Sequence, residues 1–125
     1  MKKTITIPNA PAPIGPYSQA ILKNDTLFVS GQIPLNPQSG ELKIQNIEEA
    51  TKQVMDNIQA LVETAGLRME DIVKCSIFLK SMDDFAQVNE VYARYFQIAP
   101  PARETVQVSQ LPLNVPIEIS CIAIR

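Results

Sequence analysis

Apolar residues recur three and four positions apart between residues 46 and 66, which is the spacing of one face of an α-helix. Asn46 stands before this stretch with Glu49 three residues later, as in a helix-capping box, and Gly66 follows it. The pattern predicts a first helix, whose buried face consists of Ile47, Ala50, Val54, Ile58, Leu61, Val62 and Ala65.

A second helical pattern runs through SMDDFAQVNEVYARYF, residues 81–96. Ser81 and Asp84 again have capping spacing, and Pro100 and Pro101 prevent the helix from continuing. The apolar side of this helix is predicted to consist of Phe85, Val88, Val91, Tyr92, Tyr95 and Phe96.

Five shorter stretches alternate apolar and polar residues, which is typical of strands with one buried face. They cover residues 17–22, 26–30, 71–80, a stretch that starts at Arg103, and 116–125. Asn24 and Asp25 suit a tight hairpin turn between the first two. The buried side of 71–80 is predicted to consist of Val73, Cys75, Ile77 and Leu79.

The stretch that starts at Arg103 follows two prolines and predicts a strand with the side chains of Val106 and Val108 buried. Arg103, Thr105 and Gln107 alternate with them and point the other way. Strands, helix, strand, helix and strands in this order, with no repeat and no linker, indicate one α+β domain over residues 1–125.

The last strand is apolar on both sides. Ile117, Ile119, Cys121 and Ala123 point one way, whereas Ile122 and Ile124 point the other. Two helices can cover only one face of such a sheet, so the second face needs another cover. A homo-oligomer supplies one, and a small closed barrel that buries its own inside is the alternative.

Composition narrows the possible partners. The chain has 125 residues and a formal net charge of −2 without long runs of either sign, so we expect no nucleic-acid partner. It has no apolar stretch of the roughly 18 residues that a membrane span needs. Its start turns polar and proline-rich before a signal-peptide core could form, which favours a cytoplasmic protein.

The absence of histidine removes several kinds of chemistry. With no His and only Cys75 and Cys121, the chain lacks the usual ligand set for zinc or copper and the parts of a Ser-His-Asp or Cys-His nucleophile. The two cysteines lie in apolar alternating runs, so we interpret them as small buried residues. A disulfide or a reactive thiol is the alternative.

Two charged residues and one glycine are candidates for function. Arg103 starts a strand and is either a structural arginine, paired with Glu104 or Glu118, or a fork that binds a substrate carboxylate. Glu118 lies on the partly apolar second side of the last strand. Gly31 either marks a bend or allows a ligand to approach the backbone closely.

Five blocks of sequence carry a resemblance to a known family. They are IGPYSQA at 14–20, VSGQIP at 29–34, DFAQVN at 84–89, PPAR at 100–103 and LPLNVPIEI at 111–119. In this order they resemble the reactive intermediate deaminase family, also called RidA or YjgF. The resemblance implies a chorismate-mutase-like α+β fold, with two helices on one face of a mixed sheet, and a homotrimer with sites between subunits.

The resemblance also implies an activity and its residues. Family members hydrolyse 2-imino acids and their 2-enamino tautomers, such as 2-iminobutanoate and 2-iminopropanoate, to 2-keto acids and ammonia without a cofactor or metal. Arg103 matches the arginine that binds the substrate carboxylate, and Glu118 matches the acid that positions the attacking water. Substrate-binding positions are matched by Tyr17, Ser30, Gly31, Phe85, Asn89 and Thr105.

Two positions depart from the family pattern, and two other functions remain alternatives. Thr105 stands where a cysteine is common, and Ser120 stands where many members have a second acid. The same cleft also suits a non-catalytic keto-acid-binding or regulatory protein. An RNA-cleaving or chaperone-like stress protein is a further alternative, and the net charge argues against RNA as the partner.

Overall fold

The computed structural model describes all residues, 1–125, as a six-stranded sheet with two helices. The strands are β1 (Lys3–Ile5), β2 (Ala20–Lys23), β3 (Thr26–Gln32), β4 (Ile72–Leu79), β5 (Ala102–Gln107) and β6 (Ile117–Ile124), and the helices are α1 (Ile47–Thr64) and α2 (Phe85–Ala93). The predicted α+β arrangement is confirmed. Neither helix is long and apolar enough to cross a membrane.

The sheet is mixed and open. Its strand order is β1-β2-β3-β6-β4-β5, with β4 and β5 parallel and every other neighbouring pair antiparallel. Because β1 and β5 are edges that do not pair with each other, the closed-barrel alternative is wrong. The second face of the sheet therefore stays open in the single chain.

Helix α1 forms as its sequence predicts. Asn46 Oδ1 accepts a hydrogen bond from the Glu49 N–H at 2.8 Å, and Gly66 ends the helix in a left-handed conformation with φ of 84°. The helix packs on β3 and β6 through side chains that are fully buried, among them Val54, Ile58 and Leu61. The core therefore lies between this face of the sheet and the helices.

Helix α2 is shorter than predicted. Ser81 caps a short 3₁₀ turn, Met82–Asp84, by accepting from the Asp83 N–H at 3.1 Å, and α2 itself begins only at Phe85. Tyr95 and Phe96 follow its end at Ala93 and remain partly buried against the core.

The buried side predicted for β4 is wrong at the start of the strand. Ile72 pairs with Ala123 and Lys74 with Ile122, so Val73 is an extra residue in a β-bulge. Ile72 takes the core position, and Val73 is exposed. From Cys75 onward the predicted alternation is confirmed, with Cys75, Ile77 and Leu79 all fully buried.

The predicted buried side of the Arg103 strand is also wrong. In the parallel β4–β5 pair, Arg103 lies beside Cys75 and Thr105 beside Ile77, which places both on the helix-covered face. Val106 lies beside Phe78 on the open face. Polarity along the strand could not reveal this arrangement, because the covered side is the one with the polar residues.

The open face of the sheet carries both apolar and polar side chains. Phe28, Val106 and Ile124 expose 48%, 42% and 46% of their surface, and Ile122 is half-buried beside Phe28. Exposed apolar side chains from three strands on one face are typical of a surface that another chain covers.

Candidate functional site

Arg103 is held by aromatic rings. Its guanidinium carbon lies 5.0 Å from the ring centre of Tyr92 and 5.7 Å from that of Phe85, both on α2. It forms no salt bridge, and the structural alternative of a pair with Glu104 or Glu118 is not realised. The half-buried guanidinium therefore has no acidic partner.

Glu104 has other partners, although it is the neighbour of Arg103 in sequence. Its carboxylate lies 2.8 Å from Lys74 Nζ and accepts a hydrogen bond from Ser76 Oγ, both on the open face. Lys74 and then Ser76 lower the pKa of Glu104. Its charge is thus compensated on the side of the sheet away from Arg103.

Three buried polar atoms without hydrogen-bond partners lie on the elements that carry or contact Arg103. They are Asn89 Oδ1, Tyr92 Oη and Thr105 Oγ1, and no other buried side-chain nitrogen or oxygen in the chain lacks a partner. A buried polar atom left unpaired is costly, so such atoms commonly mark a place for water or a ligand. All three lie on α2 and β5, which are the two elements that hold Arg103.

The Tyr92 ring reaches from Arg103 into the core. Burial raises the pKa of the Tyr92 hydroxyl, and the neighbouring Cys75 thiol raises it further, although the two groups do not meet hydrogen-bond geometry. The helical spacing of apolar residues predicts Tyr92 only as part of the apolar side of a helix. Its spacing of three from Asn89 was the one available sign that it shares a face with a binding residue.

Cys75 and Cys121 lie opposite each other on β4 and β6, and both are reduced and buried. Burial raises the pKa of each thiol, so neither is a ready nucleophile at neutral pH. The interpretation of both as buried core residues is confirmed.

Glu118 occupies the open face, beside a bulge in β3. Val29 pairs with Cys121 and Gln32 with Ile119, so Ser30 and Gly31 together face the single residue Ser120. The strand therefore continues through Gly31 with a bulge. A Cβ at Gly31 would lie 2.5 Å from Glu118 Cδ and 2.9 Å from Cγ, so glycine is the residue that lets this carboxylate lie over the backbone.

The Glu118 carboxyl has no charged partner. It takes part in no salt bridge, and burial raises its pKa above the usual value for a glutamate. A half-buried carboxylate with a raised pKa is a better proton acceptor than an ordinary surface glutamate.

Ser30 and Tyr17 belong to the same region as Glu118. The Ser30 N–H and its hydroxyl both donate to the Gln19 carbonyl, each at 2.9 Å, which ties the bulge to the segment that contains Tyr17. Tyr17 itself is exposed. Ser30, Gly31 and Glu118, with Tyr17 nearby in the chain, form what we call the Glu118 cluster.

The predicted site residues thus fall into two groups. Phe85, Asn89, Arg103 and Thr105, joined by Tyr92, form the Arg103 cluster on the helix-covered face, whereas the Glu118 cluster lies on the open face. Strand β4 separates β5 from β6, so the two backbones are two strand spacings apart, roughly 10 Å. In the single chain the two clusters therefore lie on opposite faces of the sheet, two strands apart.

A family model and individual relatives of known sequence both assign the chain to one family. The chain matches the family described as Endoribonuclease L-PSP over residues 7–125. It is 50% identical over 125 residues to a RutC family protein of Pyrococcus horikoshii, covering 100% of this chain and 99% of that protein. It is 46% identical over 128 residues to the 2-iminobutanoate/2-iminopropanoate deaminase of Escherichia coli, covering 100% and 99%.

A solved structure gives the same result for the fold. The Escherichia coli protein TdcF, solved with bound serine, superposes with a TM-score of 0.93 at 40% identity and 98% coverage of both chains. The architecture is therefore the chorismate-mutase-like fold of these proteins.

Proposed function

The chain belongs to the RidA/YjgF/RutC family, described as Endoribonuclease L-PSP, and from this membership we propose that it hydrolyses 2-imino acids to 2-keto acids and ammonia. The substrates are small, such as 2-iminobutanoate and 2-iminopropanoate, with their 2-enamino tautomers. Full-length similarity to a deaminase with those substrates supports the proposal.

The main support for the proposal is the environment of the Arg103 guanidinium. A half-buried guanidinium without an acidic partner, over two aromatic rings and with unpaired Asn89 and Thr105 oxygens on the same two elements, suits the carboxylate of a small 2-imino acid. Arginine offers two parallel N–H donors to such a group, which fixes both its position and its orientation.

Glu118 supplies the second part of the proposed mechanism. An imine carbon is already electrophilic, so water can add to it without a strong nucleophile on the enzyme. The Glu118 carboxylate accepts a proton from the water that attacks the protonated imine, C=NH2+, and the product of this addition is a neutral carbinolamine. Glu118 then returns the proton to the amino nitrogen, the C–N bond breaks as ammonia leaves, and the hydroxyl releases its proton to solvent as the C=O bond of the keto acid forms. This mechanism uses positioning and electrostatics and requires no cofactor or metal.

A coupled assay tests the proposed activity. A threonine dehydratase releases 2-iminobutanoate, and the protein should accelerate the appearance of 2-oxobutanoate above the spontaneous rate. Arg103→Ala serves as the matched inactive protein. Equal rates with and without the wild-type protein would rule out the deaminase.

We propose further that the active site is shared between the subunits of a homotrimer. The opposite placement of the two clusters requires two copies if both act on one substrate, and the exposed apolar residues of the open face give those copies a surface to bury. Arg103 of one subunit and Glu118 of another then face the same cleft.

Mixing two inactive variants tests the shared site. Arg103→Ala and Glu118→Ala chains, refolded together in equal amounts, should recover about a quarter of wild-type activity, because in a cyclic trimer one site in four then has both residues intact. Sedimentation equilibrium should report three times the chain mass of 13.8 kDa. Monomers, or mixtures as inactive as their parents, would contradict the shared site.

A binding protein for keto or amino acids is the second candidate, because TdcF was solved with bound serine. It would bind 2-oxobutanoate through Arg103 and leave the imine lifetime unchanged, so the coupled assay separates the two. The description of the family as an endoribonuclease raises RNA cleavage as a third function. RNA incubated with the wild-type protein and with Arg103→Ala tests it directly.

A further inference from the structure

The orientation of Arg103 depends on what lies beneath its guanidinium. No acidic side chain pairs with it, and the contacts that define its position are the rings of Tyr92 and Phe85. A long arginine side chain has many rotamers, and an aromatic face attracts the cation without using its N–H groups. The ring contact can therefore hold the guanidinium while its donors stay available.

Of the two rings, Tyr92 is the fixed one. It exposes 5% of its surface, whereas Phe85 exposes 37%. The Tyr92 ring packs against Phe96 with the ring centres 4.8 Å apart, and its hydroxyl lies next to the Cys75 thiol in the core. Cys75 pairs with Arg103 across β4 and β5, so one ring connects the guanidinium to the sheet directly below it.

We propose that Tyr92 is a positioning residue for the reaction. Its ring holds the Arg103 guanidinium by one face, so that the N–H edges are presented to the substrate carboxylate. This inference rests on the proposed role of Arg103 as the carboxylate anchor. The ring is the part that acts on Arg103, and the buried hydroxyl is not required.

A positioning role has a kinetic signature. Arg103 binds a carboxylate that is present in both the substrate and the transition state, so a loosely held guanidinium weakens both states equally. The KM for the imine and the Kd for the keto acid then rise together while kcat stays nearly constant. A general loss of structure would instead lower kcat and the fraction of folded protein.

Three variants test the proposal in the coupled assay and in calorimetric titration with 2-oxobutanoate. Tyr92→Leu should raise KM and Kd about tenfold, with kcat within about twofold, because the cation–π contact is lost. Tyr92→Phe keeps the ring and should stay within about twofold of the wild type in all three values. Val91→Ala, at the buried residue that precedes Tyr92 in sequence, should lower stability without changing KM.

Two outcomes would contradict the proposal. A folded Tyr92→Leu protein with wild-type KM and Kd would overturn it, and a Tyr92→Phe protein as weak as Tyr92→Leu would show that the hydroxyl acts instead. If Tyr92→Leu does not fold, Tyr92→Met fills the space with a flexible side chain and has the same expected effect. Failure of the proposed function is distinct, because the unmutated protein would then not hydrolyse the imine, whether or not it binds 2-oxobutanoate.

Discussion

Arg103→Lys should lose keto-acid binding and imine hydrolysis, although the positive charge is kept. Lysine offers a single ammonium that cannot reproduce the two parallel N–H donors of the guanidinium, and it stacks less well over the Tyr92 and Phe85 rings. The expected loss is on the order of 2 to 4 kcal/mol of transition-state stabilisation, from charged hydrogen bonds in a sheltered site. Calorimetric titration with 2-oxobutanoate measures the loss of binding, and the coupled assay measures the loss of hydrolysis.

A second arginine offers a matched control. Arg125 pairs with Asp25 at 3.2 Å on an exposed part of the surface, so Arg125→Lys should leave both binding and turnover unchanged. Arg103 forms no salt bridge, and the stability of the fold should therefore change little in Arg103→Lys. A fully active Arg103→Lys protein, or an Arg103→Ala protein that fails to fold, would show that the role of Arg103 is structural.

The parts of the fold that could be predicted from sequence are those with local causes. Helix α1 has its cap residue, its apolar face and its terminating glycine within one continuous segment, and all three are found as predicted. The two sides of β6 are also as predicted, because its alternation runs unbroken from Ile117 to Ala123. In these elements the neighbours along the chain decide the structure.

The errors have non-local causes. The bulge at Val73 shifts the first residues of β4, and it is seen only through the pairing of Ile72 and Lys74 with β6. The side of β5 that faces the helices is set by its parallel pairing with β4, which places Arg103 beside Cys75. A one-residue change of register exchanges the two faces of a strand, so alternation alone could not place Val106 correctly.

The candidate site shows the same division. Its residues were identified through the resemblance of short motifs, which gives positions in the sequence and no geometry. That Gly31 makes room for Glu118, and that Tyr92 lies under Arg103, depends on contacts between β3 and β6 and between α2 and β5. The opposite placement of Arg103 and Glu118 likewise follows only from the register of the strand pairs β4–β5 and β4–β6.

Glu118→Gln should separate catalysis from binding. The amide has nearly the same shape and fits over Gly31 as the carboxylate does, so affinity for 2-oxobutanoate should stay within about twofold. Turnover should fall on the order of a hundredfold, because an amide still orients a water but does not accept its proton. Glu48→Gln, an exposed glutamate in the first turn of α1, is the matched control and should keep full activity.

The pH dependence of kcat is a second test of Glu118 as the proton acceptor. Burial raises the pKa of Glu118, so the ionised form that accepts the proton is lost as pH falls through this raised value, and kcat should fall with it. The same shift means that ionisation of Glu118 costs stability in the folded chain, since the folded state holds its proton to higher pH than the unfolded state does. Glu118→Gln should therefore leave the free energy of unfolding at neutral pH unchanged or slightly higher. A variant that keeps wild-type turnover, or the wild-type fall of kcat in acid, would show that Glu118 is not the proton acceptor.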